Sequence, residues 1–217
     1  MESMIIPYAM RKSYHISHGE HLSMTWYAID GLDGSGKTAA GRMLKDLLES
    51  RGRTVELITH PDPGRFFGRL SGRMLFKNGK PAAMFATFFF FINVSGSLAR
   101  MRRRRTDDII FIRYTMSACY LPEHLFKKVY RIVTSFFPAP DVRIYLDIDE
   151  DTAMHRIHSR GGDRERFENH ESLKEVGDRM RSVSDGWLVV DARMPLDDVG
   201  RLMDSVVVSA DLAARGP

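Results

Sequence analysis

The feature that most constrains the fold of this chain is the octapeptide Gly31–Thr38, which reads Gly-Leu-Asp-Gly-Ser-Gly-Lys-Thr. It matches the phosphate-loop pattern G-x-x-x-x-G-K-[ST] in full. The apolar run Met24–Ile29 precedes it as a buried strand would, and apolar residues follow it at helical spacing, at Met43, Leu44, Leu47 and Leu48. We therefore predict a strand, a phosphate loop and a helix in that order, and a nucleotide-binding protein.

The residue types of the loop fit the chemistry of a triphosphate. Glycines let the backbone turn its amide hydrogens inward around an anion, Lys37 has the length to reach the β and γ phosphates, and the hydroxyl of Thr38 is a ligand for Mg²⁺. A helix that begins near Lys37 directs its positive dipole end at the same phosphates. The predicted ATP-binding residues of the loop are Gly31, Asp33, Gly34, Ser35, Gly36, Lys37 and Thr38.

Length and composition are those of a compact enzyme. With 217 residues, 43% of them hydrophobic and 28% charged, the chain is expected to fold as one domain over residues 23–217, preceded by an extension over residues 1–22 that lacks a clear period. The single cysteine, Cys119, excludes an intramolecular disulfide, and a cytoplasmic protein is predicted. The net charge of +4 is mild, so no nucleic-acid partner is expected.

Strand and helix patterns alternate along the rest of the chain. Strands are predicted at 24–29, 54–59, 107–112, 142–146 and 187–190, and helices after the phosphate loop, from 81 to 105, on both sides of Leu121-Pro122, over 151–159 and from about 196. This alternation favours a parallel five-stranded sheet covered on both faces, which is a three-layer α/β sandwich of the P-loop type with its ligands at the carboxyl ends of the strands.

The helix predicted over 81–105 contains the phenylalanine-rich run 85–92 and ends in a basic cluster at Arg100 and residues 102–105. A membrane span needs about 20 apolar residues, and polar residues interrupt this run first, so we predict a buried or cleft-lining helix and no membrane contact. The basic cluster is interpreted as a helix end that complements the dipole, with a docking site for anionic lipid or nucleic acid as the alternative.

Beyond the phosphate loop, several segments resemble the thymidylate kinase family of nucleoside monophosphate kinases. Tyr27–Thr38 is similar to the opening of that family, apart from Asp30 where a Glu is usual. Arg113-Tyr114 resembles its Asp-Arg-Tyr element, Pro140-Asp141 with Ile144–Asp147 its fourth-strand signature, and Val190–Arg193 the loop placed against adenine. A segment similar to the family's lid follows the fourth strand and contains Arg156, Arg160, Arg164, Arg166, Phe167 and Glu168.

The resemblance implies transfer of the γ-phosphoryl group of ATP to a nucleoside monophosphate, with dTMP as the first candidate, Mg²⁺ as the cofactor and a homodimer as the assembly. Phosphoryl transfer depends on positioning and on neutralising the charge of the transferring group, so arginines on a closing helical lid fit the reaction. The catalytic residues predicted in this way are Lys37, Arg113, Arg160, Arg164 and Arg166. A solvated charged loop is the alternative for the lid segment.

The resemblance also assigns the acceptor side of the site. It implies that Asp33 contacts the acceptor's sugar, that Arg113 holds the acceptor or transferring phosphate, and that Asp62 organises water on Mg²⁺, so Thr38 and Asp62 are the predicted metal residues. Arg65 is assigned either to a phosphate contact or to solvent, and Tyr114 either to an acceptor contact or to packing. Phe88 is predicted to contact the base of the acceptor, and Ala192 and Arg193 are predicted to contact the adenine of ATP.

The chain departs from the family pattern at two places. Ile112 stands where the family has the Asp that precedes Arg-Tyr, and an isoleucine side chain neither binds a hydrated cation nor accepts a proton. Asp62, Asp30 and Asp147 are the carboxylates considered in its place. The long helix offers a phenylalanine run where the family has an Asp-Arg pair. Three hypotheses therefore stay open: a dTMP kinase, a kinase for another small acceptor, and an ATP-binding regulator with little turnover.

Overall fold

The structure is a computed structural model that describes residues 24–62, 64, 80–101, 103–160 and 170–215. The predicted extension over residues 1–22 lies outside these residues, as do Arg65, Arg164 and Arg166. The strands are β1 (Thr25–Gly31), β2 (Val55–Thr59), β3 (Asp108–Ile112), β4 (Val142–Asp147) and β5 (Leu188–Asp191). The helices are α1 (Lys37–Ser50), α2 (Lys80–Met101), α3 (Glu123–Phe136), α4 (Glu150–Arg160), α5 (His170–Ser182) and α6 (Leu196–Arg215), with a 3₁₀ helix at Thr115–Tyr120.

The five strands form one sheet in the order β2-β3-β1-β4-β5, and every neighbouring pair is parallel. In register, Ile29 of β1 lies beside Ile112 of β3 and Ile144 of β4. Because parallel strands end at the same edge of a sheet, the loops that follow β1, β2, β3 and β5 share one side of the molecule. The predicted α/β sheet is confirmed, and its carboxyl edge carries the sequence motifs.

Helices cover both faces of the sheet, because side chains alternate along each strand. On one face Tyr27 and Ile29 of β1 join a buried cluster with residues of α1, α5 and α6, such as Leu44, Val176 and Met203. On the other face Trp26, Ala28, Ile109 and Phe111 pack with residues of α2, namely Phe90, Val94 and Met101. The three-layer sandwich is therefore confirmed.

Helix α2 packs only one side of its phenylalanine run against the sheet. Phe90 and Val94 are buried against the sheet, whereas Phe85 and Phe88 are more than half exposed. The helix ends at Met101 and not at Arg105 as predicted, because Arg103, Arg104 and Arg105 are exposed and bury no apolar surface that would extend the packing. Within the described residues, no helix has the length and apolar character needed to cross a bilayer.

Two helical features were not predicted from the sequence. The helical segment before Leu121-Pro122 is a 3₁₀ helix, and helix α5 was not predicted, although Leu173, Val176 and Met180 recur at helical spacing. These three side chains are buried and join α5 to the core. Helices α4 and α5 flank the predicted lid, whose central residues 161–169 lie outside the described part of the chain.

Candidate active site

The phosphate loop connects β1 to α1 and has the geometry of an anion cradle. Gly34 and Gly36 have φ angles of 83° and 90°, which side chains rarely tolerate, and a Cβ at Gly34 would lie 2.6 Å from the carbonyl oxygen of Ala153. Gly36 caps α1, and the first turn of that helix carries no acidic side chain. The positive end of the α1 dipole is therefore not neutralised from within its own first turn, which favours an anionic ligand.

Four side chains meet beside this loop. The carboxylate of Asp33 accepts hydrogen bonds from Arg113 Nη2 and, at 3.0 Å, from the hydroxyl of Tyr120, and its Oδ1 lies 3.5 Å from Lys37 Nζ. Lys37 Nζ also donates to the carbonyl oxygens of Gly31, at 3.0 Å, and of Leu32. Lys37 and Asp33 are only 6% exposed, whereas the Arg113 side chain is partly exposed, so a buried ion pair meets a guanidinium that reaches solvent. The structure brings together these predicted site residues, and it adds Tyr120.

This environment lowers the pKa values of both Asp33 and Lys37, for different physical reasons. Burial acts to raise the pKa of Asp33, but the charges of Arg113 and Lys37 outweigh it and hold that pKa well below its usual value. Burial lowers the pKa of Lys37 to about 8, although Asp33 opposes the shift. Asp33 is therefore ionised at neutral pH, and it keeps Lys37 protonated in a buried environment.

Arg113 follows β3 directly and has a φ of 65°, in the left-handed region that a residue with a side chain rarely adopts. Its backbone N–H donates to Ile29 O at 3.0 Å, and its carbonyl oxygen lies 3.1 Å from Nδ1 of His60. The turned backbone directs the guanidinium toward Asp33. A residue in a disfavoured backbone conformation persists only where its neighbours hold it there, and such residues cluster at functional sites.

Asp30 stands where the family usually has a Glu, and its carboxylate organises the chain after β3. Both of its oxygens lie 3.0 Å from the backbone N of Tyr114, and one lies 3.3 Å from the backbone N of Met116. Burial raises the pKa of Asp30 to about 6, against the lowering effect of these N–H donors. The Asp30 carboxylate therefore accepts backbone N–H groups at the start of the 3₁₀ helix. These contacts do not favour the metal-binding role that was considered for Asp30.

The predicted acceptor residues have different environments. Tyr114 is buried, its hydroxyl donates to Pro138 O at 2.8 Å, and its ring stacks on Phe137, so the structure favours the packing alternative for it. Phe88 is 59% exposed on the outer side of α2 and touches Phe89, so its contacts do not favour the base contact predicted for it. Asp62 lies after β2, where its backbone N donates to Asn93 Oδ1 at 3.1 Å.

The loop after β5 carries the residues predicted to face adenine. Ala192 is buried, its N–H donates to Asp147 O at 2.8 Å, and its carbonyl oxygen accepts from Arg156 Nη2 at 2.9 Å. Arg193 is exposed and pairs with Asp191 at 2.8 Å. Arg156 of the lid-like segment thus contacts this loop, and Arg160 is the last residue of α4.

Oxygen atoms suited to a hard cation lie at the phosphate loop. The Thr38 hydroxyl is on an exposed residue of the first turn of α1, and the buried hydroxyl of Ser35 has no hydrogen-bond partner among the described residues. Asp147 accepts from Tyr145 at 2.9 Å and from Arg181 at 3.1 Å, which does not favour it as a ligand. Hydroxyl and carboxylate oxygens are the ligands that Mg²⁺ takes beside substrate phosphates, so the residues present fit this ion.

Ile112, which replaces the family's Asp, is a core residue. It is 1% exposed, and its Cδ1 would lie 2.4 Å from a Cβ placed on Gly41 of α1. Gly41 lies one turn after Thr38 on α1. Because glycine has no side chain, Ile112 can fill the space between β3 and α1, and a larger residue at position 41 would collide with it. Ile112 therefore serves the packing of β3 against α1.

Sequence reasoning missed Tyr120, His60 and the supporting role of Asp30. Tyr120 lies 87 residues from Asp33 along the chain, and His60 lies 53 residues from Arg113. No local period or spacing relates residues so far apart, and only the sheet order brings them together.

A family model described as thymidylate kinase matches residues 29–202. The chain belongs to the thymidylate kinase family. A thymidylate kinase of Xanthomonas oryzae pv. oryzae is 30% identical over 201 residues, covering 84% of this chain and 82% of the relative. One of Brachyspira hyodysenteriae is 28% identical over 166 residues, covering 74% and 81%. The structure of a thymidylate kinase from Candida albicans has a TM-score of 0.68 at 19% identity, covers 85% of this chain and 91% of that one, and shows the shared fold.

Membership of the thymidylate kinase family makes the chain an ATP-dependent nucleoside monophosphate kinase, and dTMP is the acceptor that the family phosphorylates. The low identity fits a divergent member. The departure at Ile112 is therefore a difference within the family and not a sign of another one.

Proposed function

We propose that this member of the thymidylate kinase family transfers the γ-phosphoryl group of ATP to dTMP at the cluster formed by Lys37 and Arg113 around Asp33. The observation that carries the proposal is the convergence of two cationic side chains on one buried carboxylate beside the N-terminus of α1. Phosphoryl transfer needs charge neutralisation and positioning more than covalent chemistry, and this cluster supplies both.

The roles of the residues follow from their places. The backbone from Gly31 to Gly36 would cradle the phosphates of ATP, and Lys37 would neutralise the phosphates next to the transferring group. Arg113 would hold the phosphate that the acceptor presents. Asp33 keeps both cations aimed at one place, since it contacts both of them. A low-dielectric site strengthens these charge interactions relative to the same pairs in water.

Mg²⁺ is the proposed cofactor, with Thr38 and Asp62 as the residues that would hold it and its waters. Bound there, the ion would neutralise charge on the phosphates of ATP. The orphaned hydroxyl of buried Ser35 supports a polar ligand at the same loop. EDTA in excess over Mg²⁺ should abolish turnover in a reaction that holds excess dTMP, and added Mg²⁺ should restore it.

On the base side of ATP, Ala192 and Arg193 are the proposed adenine contacts. The ordered loop after β5, fixed by the hydrogen bonds of Ala192 to Asp147 and Arg156, supports this assignment. Arg160, Arg164 and Arg166 stay predicted lid residues, and substituting Arg164 or Arg166 with Ala should lower kcat more than it raises KM for ATP. A homodimer through α2 and a cytoplasmic location also stay predictions.

The deciding experiment is coupled ADP release with ATP and Mg²⁺ against dTMP, dUMP, UMP, CMP, dGMP and AMP. Lys37→Ala is the blank, and Lys45→Ala is its matched control, because Lys45 lies on the same helix but is partly exposed and pairs with Glu49. We expect turnover with a preference for dTMP, lost in Lys37→Ala and kept in Lys45→Ala. Nucleotide binding without transfer to any of the six acceptors would contradict the proposal.

A further inference from the structure

A row of polar side chains on α2 joins the loop after β2 to the end of β3. Asn93 and Ser97, one turn apart, are 3% and 0% exposed, and Arg100 lies three residues further along the same side. Asn93 Oδ1 accepts from the backbone N of Asp62, and Ser97 Oγ lies 3.0 Å from His60 Nε2. Buried polar groups in an otherwise apolar layer are costly unless each has a partner, so this row is built around His60.

His60 is completely buried and touches two parts of the chain through its two ring nitrogens. Nδ1 lies 3.1 Å from the backbone carbonyl oxygen of Arg113, and Nε2 faces Ser97. Its ring is also held edge-on by Phe111, at 4.9 Å between centroids, and by Phe90, at 6.1 Å. The histidine therefore has a fixed orientation between α2 and the residue that follows β3.

The hydrogen-bond directions along this row are determined by chemistry. A carbonyl oxygen only accepts, so Nδ1 must carry the hydrogen and donate to Arg113 O. In a neutral ring Nε2 is then the acceptor, and the Ser97 hydroxyl donates to it. Arg100 Nη2 donates to the same Ser97 oxygen at 3.0 Å, and the hydroxyl hydrogen of Ser97 is shared between His60 Nε2 at 3.0 Å and the backbone carbonyl oxygen of Asn93 at 3.3 Å. Each donor thus faces an acceptor from Arg100 through Ser97 and His60 to Arg113.

We propose that His60 is a positioning residue for Arg113, which it holds in its left-handed backbone conformation so that the guanidinium stays at Asp33. The φ of 65° is disfavoured for an arginine. Two hydrogen bonds hold the Arg113 backbone on either side of this angle: its N–H donates to Ile29 O, and its carbonyl oxygen accepts from His60 Nδ1. The N–H of the peptide unit after Arg113 belongs to Tyr114 and stays bound to the Asp30 carboxylate. Losing the His60 bond therefore releases only the carbonyl end of that unit, which lets the Arg113 backbone shift. This inference rests on the proposed role of Arg113 in phosphate binding.

The test compares kcat and both KM values for wild type, His60→Phe and His60→Asn. Phenylalanine keeps the aromatic packing but donates no hydrogen bond, whereas the short amide of asparagine can donate near the position of Nδ1. A displacement of about 1 Å at a catalytic group can cost about 100-fold in rate, so His60→Phe should lose between about 10-fold and about 100-fold in kcat with KM for ATP nearly unchanged. His60→Asn should recover most of this loss.

Two controls separate positioning from stability. Val94→Ala removes a fully buried side chain of α2 from the same core cluster, so it should lower the Tm while leaving kcat unchanged. In an Arg113→Ala background, His60→Phe should cost no further kcat, because the group that it positions is absent. Wild-type kcat in folded His60→Phe, or an equal loss with and without Arg113, would overturn the proposal.

If His60→Phe does not fold, His60→Asn and His60→Gln give the answer instead. The amide of glutamine extends toward the position of Nε2 and that of asparagine toward Nδ1, so asparagine should retain the higher kcat, and the reverse order would overturn the proposal. Unchanged kcat in Arg113→Ala would instead refute the role of Arg113, and an inactive wild type would refute the proposed function, so the three failures are distinguishable.

Discussion

The contact between Gly41 and Ile112 gives a prediction that can be worked out from the structure. A Cβ at residue 41 would lie 2.4 Å from Ile112 Cδ1 and 3.3 Å from Ile112 Cγ1 and Leu57 Cδ1. Gly41→Ala therefore overpacks the core, at a cost of about 1 to 3 kcal/mol, while helix propensity returns about 1 kcal/mol. We expect a net loss of about 1 kcal/mol in the free energy of unfolding.

Ile112→Val removes the Cδ1 atom that causes the closest of these contacts. Alone it should cost about 0.5 to 1.5 kcal/mol, because it leaves a small cavity. In the double variant the alanine methyl occupies that cavity and the helix-propensity gain remains, so stability should return to within about 0.5 kcal/mol of wild type. The two substitutions should thus show a favourable coupling of about 2 kcal/mol.

Urea unfolding followed by circular dichroism measures all four proteins, with a common m value required for the comparison. Gly41→Ala combined with Ile109→Val is the matched control, because Ile109 lies on the same strand but packs in the cluster on the opposite face of the sheet. That pair should be additive. Additivity of Gly41→Ala and Ile112→Val within about 0.5 kcal/mol would refute the packing account of Ile112.

Three further predictions follow from buried charges. Because burial lowers the pKa of Lys37 to about 8, kcat/KM for ATP should fall as pH rises through about 8, and a profile that stays level to about pH 10 would contradict this. Asp30 has a folded-state pKa of about 6, above its unfolded value, so the folded state holds the proton more tightly and stability falls as pH rises. Relative to Asp30→Asn, wild type should lose about 2 kcal/mol of unfolding free energy between pH 4 and 7, and a constant difference would argue against it. Arg53→Met leaves the fully buried Asp108 carboxylate without the guanidinium 2.7 Å away and should cost about 3 to 5 kcal/mol in urea unfolding. Lys45→Met, at a partly exposed ion pair, should cost less than about 1 kcal/mol, and equal losses would contradict the burial argument.

Much of the architecture could be predicted because its signals are local. The phosphate loop, the apolar strands and the helical periods each extend over fewer than 25 residues, and their alternation implies a parallel sheet. The bounds of β2 and β3 differ from the predicted ones by one residue. Helix α5 was missed, although its apolar period at Leu173, Val176 and Met180 was available in the sequence.

The polar partners of the site could not be predicted in this way. Tyr120 reaches Asp33, and His60 reaches the carbonyl of Arg113, only because β2 and β1 lie on either side of β3. The packing role of Tyr114 also depends on Phe137 and Pro138, which no local pattern relates to it.

The sequence by itself determined the kind of protein, since the glycines, Lys37 and Thr38 stand together in one octapeptide and their chemistry does not depend on distant residues. Only the tertiary structure decided how Arg113 is aimed and why Ile112 is accommodated. Both depend on residues that are brought together by the order of the strands, and the free energy of such contacts comes from burial and hydrogen bonds that exist only in the folded chain.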